Sequence, residues 1–122
     1  MTMVTMNAET LEDYVRDLGY EVSLERDPSG TFYTVIHGVV IQRGSLRGRT
    51  CDVALARPAL VPYAVASAIH TRPPLVPMDM RGPLKTQPSP LGGDWQYWSR
   101  RYDHAPTPQQ IWTHVLTVLG QV

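Results

Sequence analysis

The chain has 122 residues, 43% of them hydrophobic and 18% charged, which suffices for one hydrophobic core and excludes two independent domains. We therefore expect a single domain over residues 1–122. No apolar run approaches the roughly 20 residues of a membrane span, and the first residues lack the features of a secretory signal, so a cytoplasmic protein without membrane contact is expected. A single cysteine, Cys51, excludes an internal disulfide and a thiolate-rich zinc site.

The charges are distributed unevenly, although the formal net charge is zero. Residues 1–27 carry seven acidic residues against two arginines, a net charge of −5, and the remainder carries +5. An arginine-rich remainder is compatible with a nucleic-acid-binding module, but a bipolar surface is the simpler interpretation. Nucleic acid is therefore kept only as an alternative partner.

The first third of the chain predicts a helix and a β-hairpin. Residues 8–18 show helical spacing of apolar side chains, and Asn7 or Thr10 can cap the helix. Residues 20–25 alternate as a half-buried strand, residues 27–30 form a turn by composition, and residues 31–37 predict the second strand of an antiparallel pair. After Gly38, residues 39–42 continue either as the same strand beyond a bulge or as a short separate strand.

The middle of the chain predicts another strand and then a proline-rich segment. Residues 49–56 alternate and place Cys51, Val53 and Leu55 on one core-facing side, where a thiol is buried. Eight of the eleven prolines lie between Pro58 and Pro90, which predicts an irregular wrap with one short strand at residues 64–70 and no helix of three turns.

The last third combines aromatic residues with a helix. Trp95 and Trp98 are three residues apart and are expected to share a helical face, with at least one in the core. Thr107 and Pro108 predict the start of a helix that turns Ile111, Val115, Val118 and Leu119 inward. The predicted fold class is α+β: an N-terminal helix, an antiparallel meander of three to four strands, a proline-rich irregular wrap and a C-terminal helix.

Three short motifs carry a resemblance to a known family. They are residues 51–55 with Pro58 and the Val61-Pro62-Tyr63 turn, the segment from Asp94 to Arg100 (DWQYWSR), and the segment from Thr113 to Leu116 (THVL). The chain resembles prokaryotic family E of the bacterial ubiquitin-conjugating-enzyme-like superfamily over residues 20–119. The resemblance implies the ubiquitin-conjugating-enzyme-like (UBC-like) fold and, as partners, a ubiquitin-like protein and an adenylating activating enzyme.

The resemblance also implies a chemistry from which this chain departs. Active conjugating enzymes carry the modifier as a thioester on a cysteine that follows a histidine-proline-asparagine triplet, and this step requires an exposed thiolate. Residues 70–95 contain no cysteine, and the only asparagine is Asn7. We therefore expect a non-catalytic protein that binds the modifier or its activating enzyme. A working thioester carrier that uses Cys51 as its nucleophile is the alternative.

The candidate binding residues are His70, Trp98, Arg100 and His114. The resemblance predicts that the two histidines and Arg100 lie on one side of the molecule, that at least two of them line a shared groove, and that Trp95 or Trp98 forms its floor. Arg100 would pair with a carboxylate of the modifier's tail. Without the resemblance, the position of His114 favours a hydrogen-bonded structural role, and His70 is as readily a solvent-exposed loop residue as a functional one.

No cofactor or metal is expected from the sequence. The four histidines and Cys51 lack the short paired spacings of zinc sites. No glycine-rich loop joins a strand to a helix as a phosphate site requires.

Overall fold

The computed structural model describes residues 10–56, 68–79, 85–100 and 107–122. These residues form two helices and a six-stranded antiparallel sheet, so the α+β class is confirmed. The elements in chain order are α1 (Leu11–Asp17), β1 (Glu21–Arg26), β2 (Phe32–Val40), β3 (Thr50–Ala56), β4 (Ile69–Arg72), β5 (Thr86–Ser89), β6 (Gly92–Trp98) and α2 (Pro108–Gly120).

Both helices begin at the threonines that can cap them. The side chain of Thr10 accepts a hydrogen bond from the backbone N–H of Asp13, and that of Thr107 accepts one from Gln110. Residues 8 and 9, where the first helix was predicted to begin, lie outside the described residues. The four apolar side chains predicted to face inward from α2 are all buried.

The β1–β2 hairpin closes through Asp27, as the composition of the turn predicts. One oxygen of this carboxylate accepts hydrogen bonds from the backbone N–H and hydroxyl of Ser29 and from the N–H of Thr31. The strand register shifts between Ile36 and Val39, and residues 32–40 form one strand. The bulge alternative is therefore the correct one.

The sheet is larger than the predicted meander, with the strand order β1-β2-β3-β4-β6-β5. Residues 92–98 form a strand, so the prediction of a shared helical face for Trp95 and Trp98 is wrong. Both are buried, but adjacent positions alternate along a strand and these two point to opposite sides of the sheet. The described part of the proline-rich region holds two short strands, β4 and β5, instead of one.

Three further expectations concern residues outside the described ranges in whole or in part. Within residues 68–79 and 85–90 there is no helix of three turns. Residues 57–67 and 80–84 lie outside the described residues, and so do Pro58 and the turn at residues 61–63. The predicted fourth strand at residues 64–70 overlaps β4 at Ile69 and His70, and β4 continues to Arg72.

The two sides of the sheet carry separate clusters. The side that we call the helical face packs against α1 and α2 in the main core, which includes Ile36, Val53, Ile69 and Trp98. The other side, the distal face, has a smaller cluster formed by Tyr33, Val35, Ala54 and Trp95. In the described part of the chain, neither helix has the length and apolarity required to cross a membrane.

The connection between β2 and β3 packs closely against the end of α2. A Cβ added to Gly44 would lie 2.6 Å from the backbone oxygen of Val122 and 2.7 Å from that of Gly120, and Gly44 has φ of +81°. The backbone N–H of Ser45 donates a hydrogen bond to the same oxygen of Val122. Glycine at position 44 therefore fixes the connection to the helix end.

We expect Gly44→Ala to lower the free energy of unfolding by more than about 2 kcal/mol, because it combines a left-handed backbone with a steric clash. The matched control is Gly48→Ala. Gly48 also has a positive φ, but open space surrounds its Cα, so only the conformational cost of about 1 kcal/mol applies. Urea denaturation of both variants measures the difference, and equal losses would contradict the proposed contact.

Candidate functional site

The only thiol of the chain lies in the main core. Cys51 is 3% exposed and packs among the apolar residues of the helical face, as the alternation of β3 predicts. Burial, with a smaller contribution from the negative charge of Asp52, raises the pKa of Cys51 to about 12. A thiol with this pKa remains protonated at neutral pH and is neither a nucleophile nor a metal ligand.

Cys51→Ser is expected to destabilise the protein by about 1–3 kcal/mol, because a hydroxyl replaces a thiol in an apolar environment. Chemical denaturation measures this loss. In the native state the wild-type thiol should react with Ellman's reagent only as fast as the protein opens. Rapid stoichiometric labelling under native conditions would show that the thiol is accessible.

His70 lies on the distal face of β4 in an aromatic environment. It is 3% exposed, and its ring contacts Tyr33 and Tyr97 edge-on with both centroid separations at 5.1 Å. Its Nδ1 is 2.8 Å from the hydroxyl of Ser89, which also accepts a hydrogen bond from the N–H of Leu91. Burial lowers the pKa of His70 to about 4, so the ring is neutral at physiological pH.

His114 lies on the other side of the sheet from His70. It is a buried residue of α2, and α2 packs against the helical face. His70 is paired in register with Ala54 and Tyr97 and therefore points to the distal face. The prediction that His70, Arg100 and His114 share one side of the molecule is thus wrong, because the alternation of β4 directs His70 away from α2.

Trp98 and Arg100 are the two candidate binding residues that contact each other in the structure. Trp98 is fully buried on the helical face, and its indole N–H donates a hydrogen bond to the hydroxyl of Thr71 at 3.0 Å. The guanidinium of Arg100 lies 5.3 Å from the centroid of the Trp98 ring. Its Nη1 donates hydrogen bonds to the carbonyl oxygens of Lys85 and Ser99. Trp98 therefore lies beneath the guanidinium of Arg100, and the shared groove of which it would be the floor stays a prediction.

Arg100 is also the most accessible of the four predicted binding residues. It is partly buried, whereas His70, Trp98 and His114 are each 5% exposed or less. Burial lowers the pKa of Arg100 from its ordinary value, which still leaves the side chain charged. Among the four, only Arg100 offers a substantial surface to a partner.

A polar cluster on the distal face was not foreseen from the sequence. Arg72 donates hydrogen bonds from Nε and Nη2 to one oxygen of Asp52, at 3.0 and 2.8 Å. Its Nη1 is 3.5 Å from Glu25, and its guanidinium lies 4.4 Å from the centroid of Trp95. Asp52 also faces His37, whose Nδ1 is 3.4 Å from the second carboxylate oxygen.

This cluster compensates its own charges. Burial alone would raise the pKa of Asp52, but hydrogen bonds from Arg72 and from the N–H of Gly38 lower it below its ordinary value. Arg72 is held by two carboxylates and an aromatic ring, so its positive charge is already neutralised. The arrangement stabilises the β1–β4 part of the sheet and is a poor anion site.

Among the described residues, no group of three histidine, cysteine or acidic side chains is placed to hold a metal ion. Comparison of the chain with protein-family models, curated proteins and solved structures finds no match. The family resemblance therefore rests on the motifs of the sequence, and the function has to be argued from the residues themselves.

Proposed function

We propose that the chain is an atypical, non-catalytic ubiquitin-conjugating-enzyme-like protein of the prokaryotic family E type. In this role it binds a ubiquitin-like modifier or the adenylating enzyme that activates it, in the cytoplasm. The observation that carries this proposal is the position of Cys51, the only cysteine, in the main core with a raised pKa. A protein with the family's motifs and no usable thiol can bind the partners of the pathway without transferring the modifier.

The alternative of a thioester carrier is disfavoured by the same observation. Attack on an activated carboxyl carbon needs a thiolate, and a pKa of about 12 leaves roughly one thiol in 10⁵ ionised at pH 7. The attack would also require a partner's C-terminus to reach a side chain that is 3% exposed. Both requirements fail in the folded protein.

Arg100 is the side chain that we expect to contact the modifier. Its Nη1 is occupied by two carbonyl oxygens, but its Nε and Nη2 have no hydrogen-bond partner among the described residues. Together these two nitrogens can donate one hydrogen bond to each oxygen of a carboxylate. The ring of Trp98 packs against the guanidinium group from the protein side. A carboxylate in the modifier's tail is the group that Arg100 would recognise.

The experiment measures, by isothermal titration calorimetry, binding of the chain to a bacterial ubiquitin-like protein and to the adenylating enzyme that activates it. We expect Arg100→Ala to weaken binding of the modifier about tenfold or more, which corresponds to one lost charge-assisted pair. Arg26→Ala is the matched control. Arg26 also lies over an aromatic ring, 5.6 Å from Phe32, but it belongs to the strand at the opposite edge of the sheet from β5.

Two results would contradict the proposal. One is the absence of binding to both proteins by a folded wild-type chain. The other is a reducible thioester between Cys51 and the modifier, formed with the activating enzyme and ATP and absent from Cys51→Ser.

A further inference from the structure

A groove separates the C-terminal half of α2 from the chain that follows β2. It has a volume of about 530 Å³, and its apolar lining is formed by Ile41, Leu116 and Leu119. Leu116 is 37% exposed and lies on the exposed face of α2 beside Thr113 and Thr117, which also line the groove. Gly44 and the Ser45 hydrogen bond hold the two walls together, so the groove is formed in the free protein.

The connection that borders the groove carries three arginines, and we call this stretch, residues 43–49, the basic rim. Arg43 is one of the lining residues, whereas Arg47 and Arg49 follow it in the connection; all three are exposed. No side chain in the described ranges forms an ion pair or hydrogen bond with these three guanidinium groups. The sequence has no acidic residue between Asp27 and Asp52 to compensate them. The occupant of this groove should therefore combine an apolar side chain with negative charge.

The end of α1 has this combination. Leu18 is 52% exposed, and Asp17 and Glu21 on either side of it are also exposed. Neither carboxylate forms an ion pair with another described residue. The exposed leucine side chain is suited to the apolar lining of the groove. The two carboxylates are negative, opposite in charge to the arginines of the basic rim.

We propose that the α1 end of one molecule, centred on Leu18, docks in the α2 groove of a second copy, with Asp17 and Glu21 against Arg43 and Arg47. Leu18 is half exposed in its own molecule and so does not fill its own groove. The two surfaces differ, which makes the contact heterologous. Such contacts repeat head to tail, and the assembly grows with concentration.

Sedimentation velocity of the purified chain tests this over concentrations from about 1 µM to about 1 mM. The wild type should associate more as concentration rises and dissociate in high salt, because exposed charge pairs are screened. Leu18→Ser and Arg43→Glu should each abolish association. Leu24→Ser is the matched control, since Leu24 is 54% exposed on β1 and lies outside both surfaces; it should leave association unchanged.

A mixing experiment identifies the pairing directly. Leu18→Ser retains the groove and Arg43→Glu retains the α1 end, so an equimolar mixture of the two monomeric variants should form a dimer that stops at two molecules. A wild type that stays monomeric throughout would overturn the proposal, and so would equal effects of Leu18→Ser and Leu24→Ser or a mixture without dimer. Salt-sensitive binding of a single-stranded oligonucleotide by a monomer, lost in Arg43→Glu, would assign the basic rim to nucleic acid instead.

Discussion

Replacing Gln96 with leucine should lower the free energy of unfolding by about 3 kcal/mol or more. Gln96 is fully buried on β6, and its side-chain oxygen accepts hydrogen bonds from the backbone N–H groups of Leu75 and Val76 at 3.0 and 3.3 Å. Its amide nitrogen donates to the carbonyl oxygen of Val76 at 2.6 Å. Leucine has a similar size but leaves these three backbone groups without partners. The buried N–H of Leu75 alone costs about 1–3 kcal/mol when unpaired, and the two part-buried groups of Val76 add to this.

The expected loss is large because the side chain of Gln96 forms the backbone hydrogen bonds that a neighbouring strand would otherwise form. Residues 73–78 have no strand assignment and include Pro73, Pro74 and Pro77, which have no N–H to donate. The side chain of Gln96 attaches this segment to the sheet by accepting hydrogen bonds from the N–H groups of Leu75 and Val76.

Gln87→Leu is the matched control for this measurement. Gln87 lies on the neighbouring strand β5 and is partly buried, and its side chain forms no hydrogen bond with a described residue. Guanidinium denaturation of both variants should show a loss at position 96 and a change within about 0.5 kcal/mol at position 87. A small loss at position 96 would mean that water or a rearranged segment satisfies the freed groups.

The elements that could be predicted are those with local signals. Each of these signals involves residues only a few positions apart in the sequence. They are the caps at Thr10 and Thr107, the turn at Asp27 and the alternation of β3. The buried state of Cys51 follows from the same alternation. The break at Gly38 does not itself distinguish a bulge from a new strand, so the sequence allows both alternatives for β2.

The elements that were missed depend on contacts distant in sequence. β5 has a proline at position 88, and β6 begins with two glycines, so neither segment has the composition of a strand. They become strands by pairing with each other and by the pairing of β6 with β4. The short edge strand tolerates Pro88 because an edge leaves some N–H positions unpaired.

The candidate site shows the same limit. Which side of the sheet His70 occupies depends on the register of β4, and that register is set by partners 16 or more residues away. The cluster of Asp52, Arg72 and Trp95 needs the pairing order of three strands, so no spacing in the sequence predicts it. Arg100 and Trp98, which do contact each other, are only two residues apart in the chain, so their contact does not depend on strand pairing.

Acid should destabilise the protein through His70 well before the carboxylates titrate. The folded state holds this histidine neutral with a pKa of about 4, whereas in the unfolded chain its pKa is about 6.5. The unfolded state therefore binds more protons between these values, and the free energy of unfolding falls as pH falls through this window. The full difference of about 2.5 pKa units corresponds to about 3 kcal/mol, present above pH 6.5 and lost near pH 4.

The surroundings of His70 explain why protonation is costly. Its ring lies between Tyr33 and Tyr97, and its Nδ1 contacts a neutral hydroxyl, so no carboxylate is hydrogen-bonded to the ring. Asp27 is near enough to raise the pKa of His70 slightly, but it accepts its hydrogen bond from Tyr33 instead. The stabilising effect of that carboxylate on an imidazolium is therefore too weak to offset burial.

Unfolding by urea at pH values from 7 to 4 measures this dependence in the wild type, in His70→Gln and in the control His37→Gln. His70→Gln has no proton to gain at this position, so its free energy of unfolding should vary much less over the window, whatever its value at pH 7. His37 is a part-exposed histidine whose Nδ1 faces Asp52, and its replacement should leave the fall in the free energy of unfolding intact.

Asp27 should act only at lower pH. Its pKa is lowered chiefly by the hydroxyl of Ser29, so its contribution to the free energy of unfolding is lost only as pH falls below the ordinary value for aspartate near 4. A steep fall between pH 6.5 and 4 that persists in His70→Gln would place the buried proton site elsewhere and contradict the neutral state of His70.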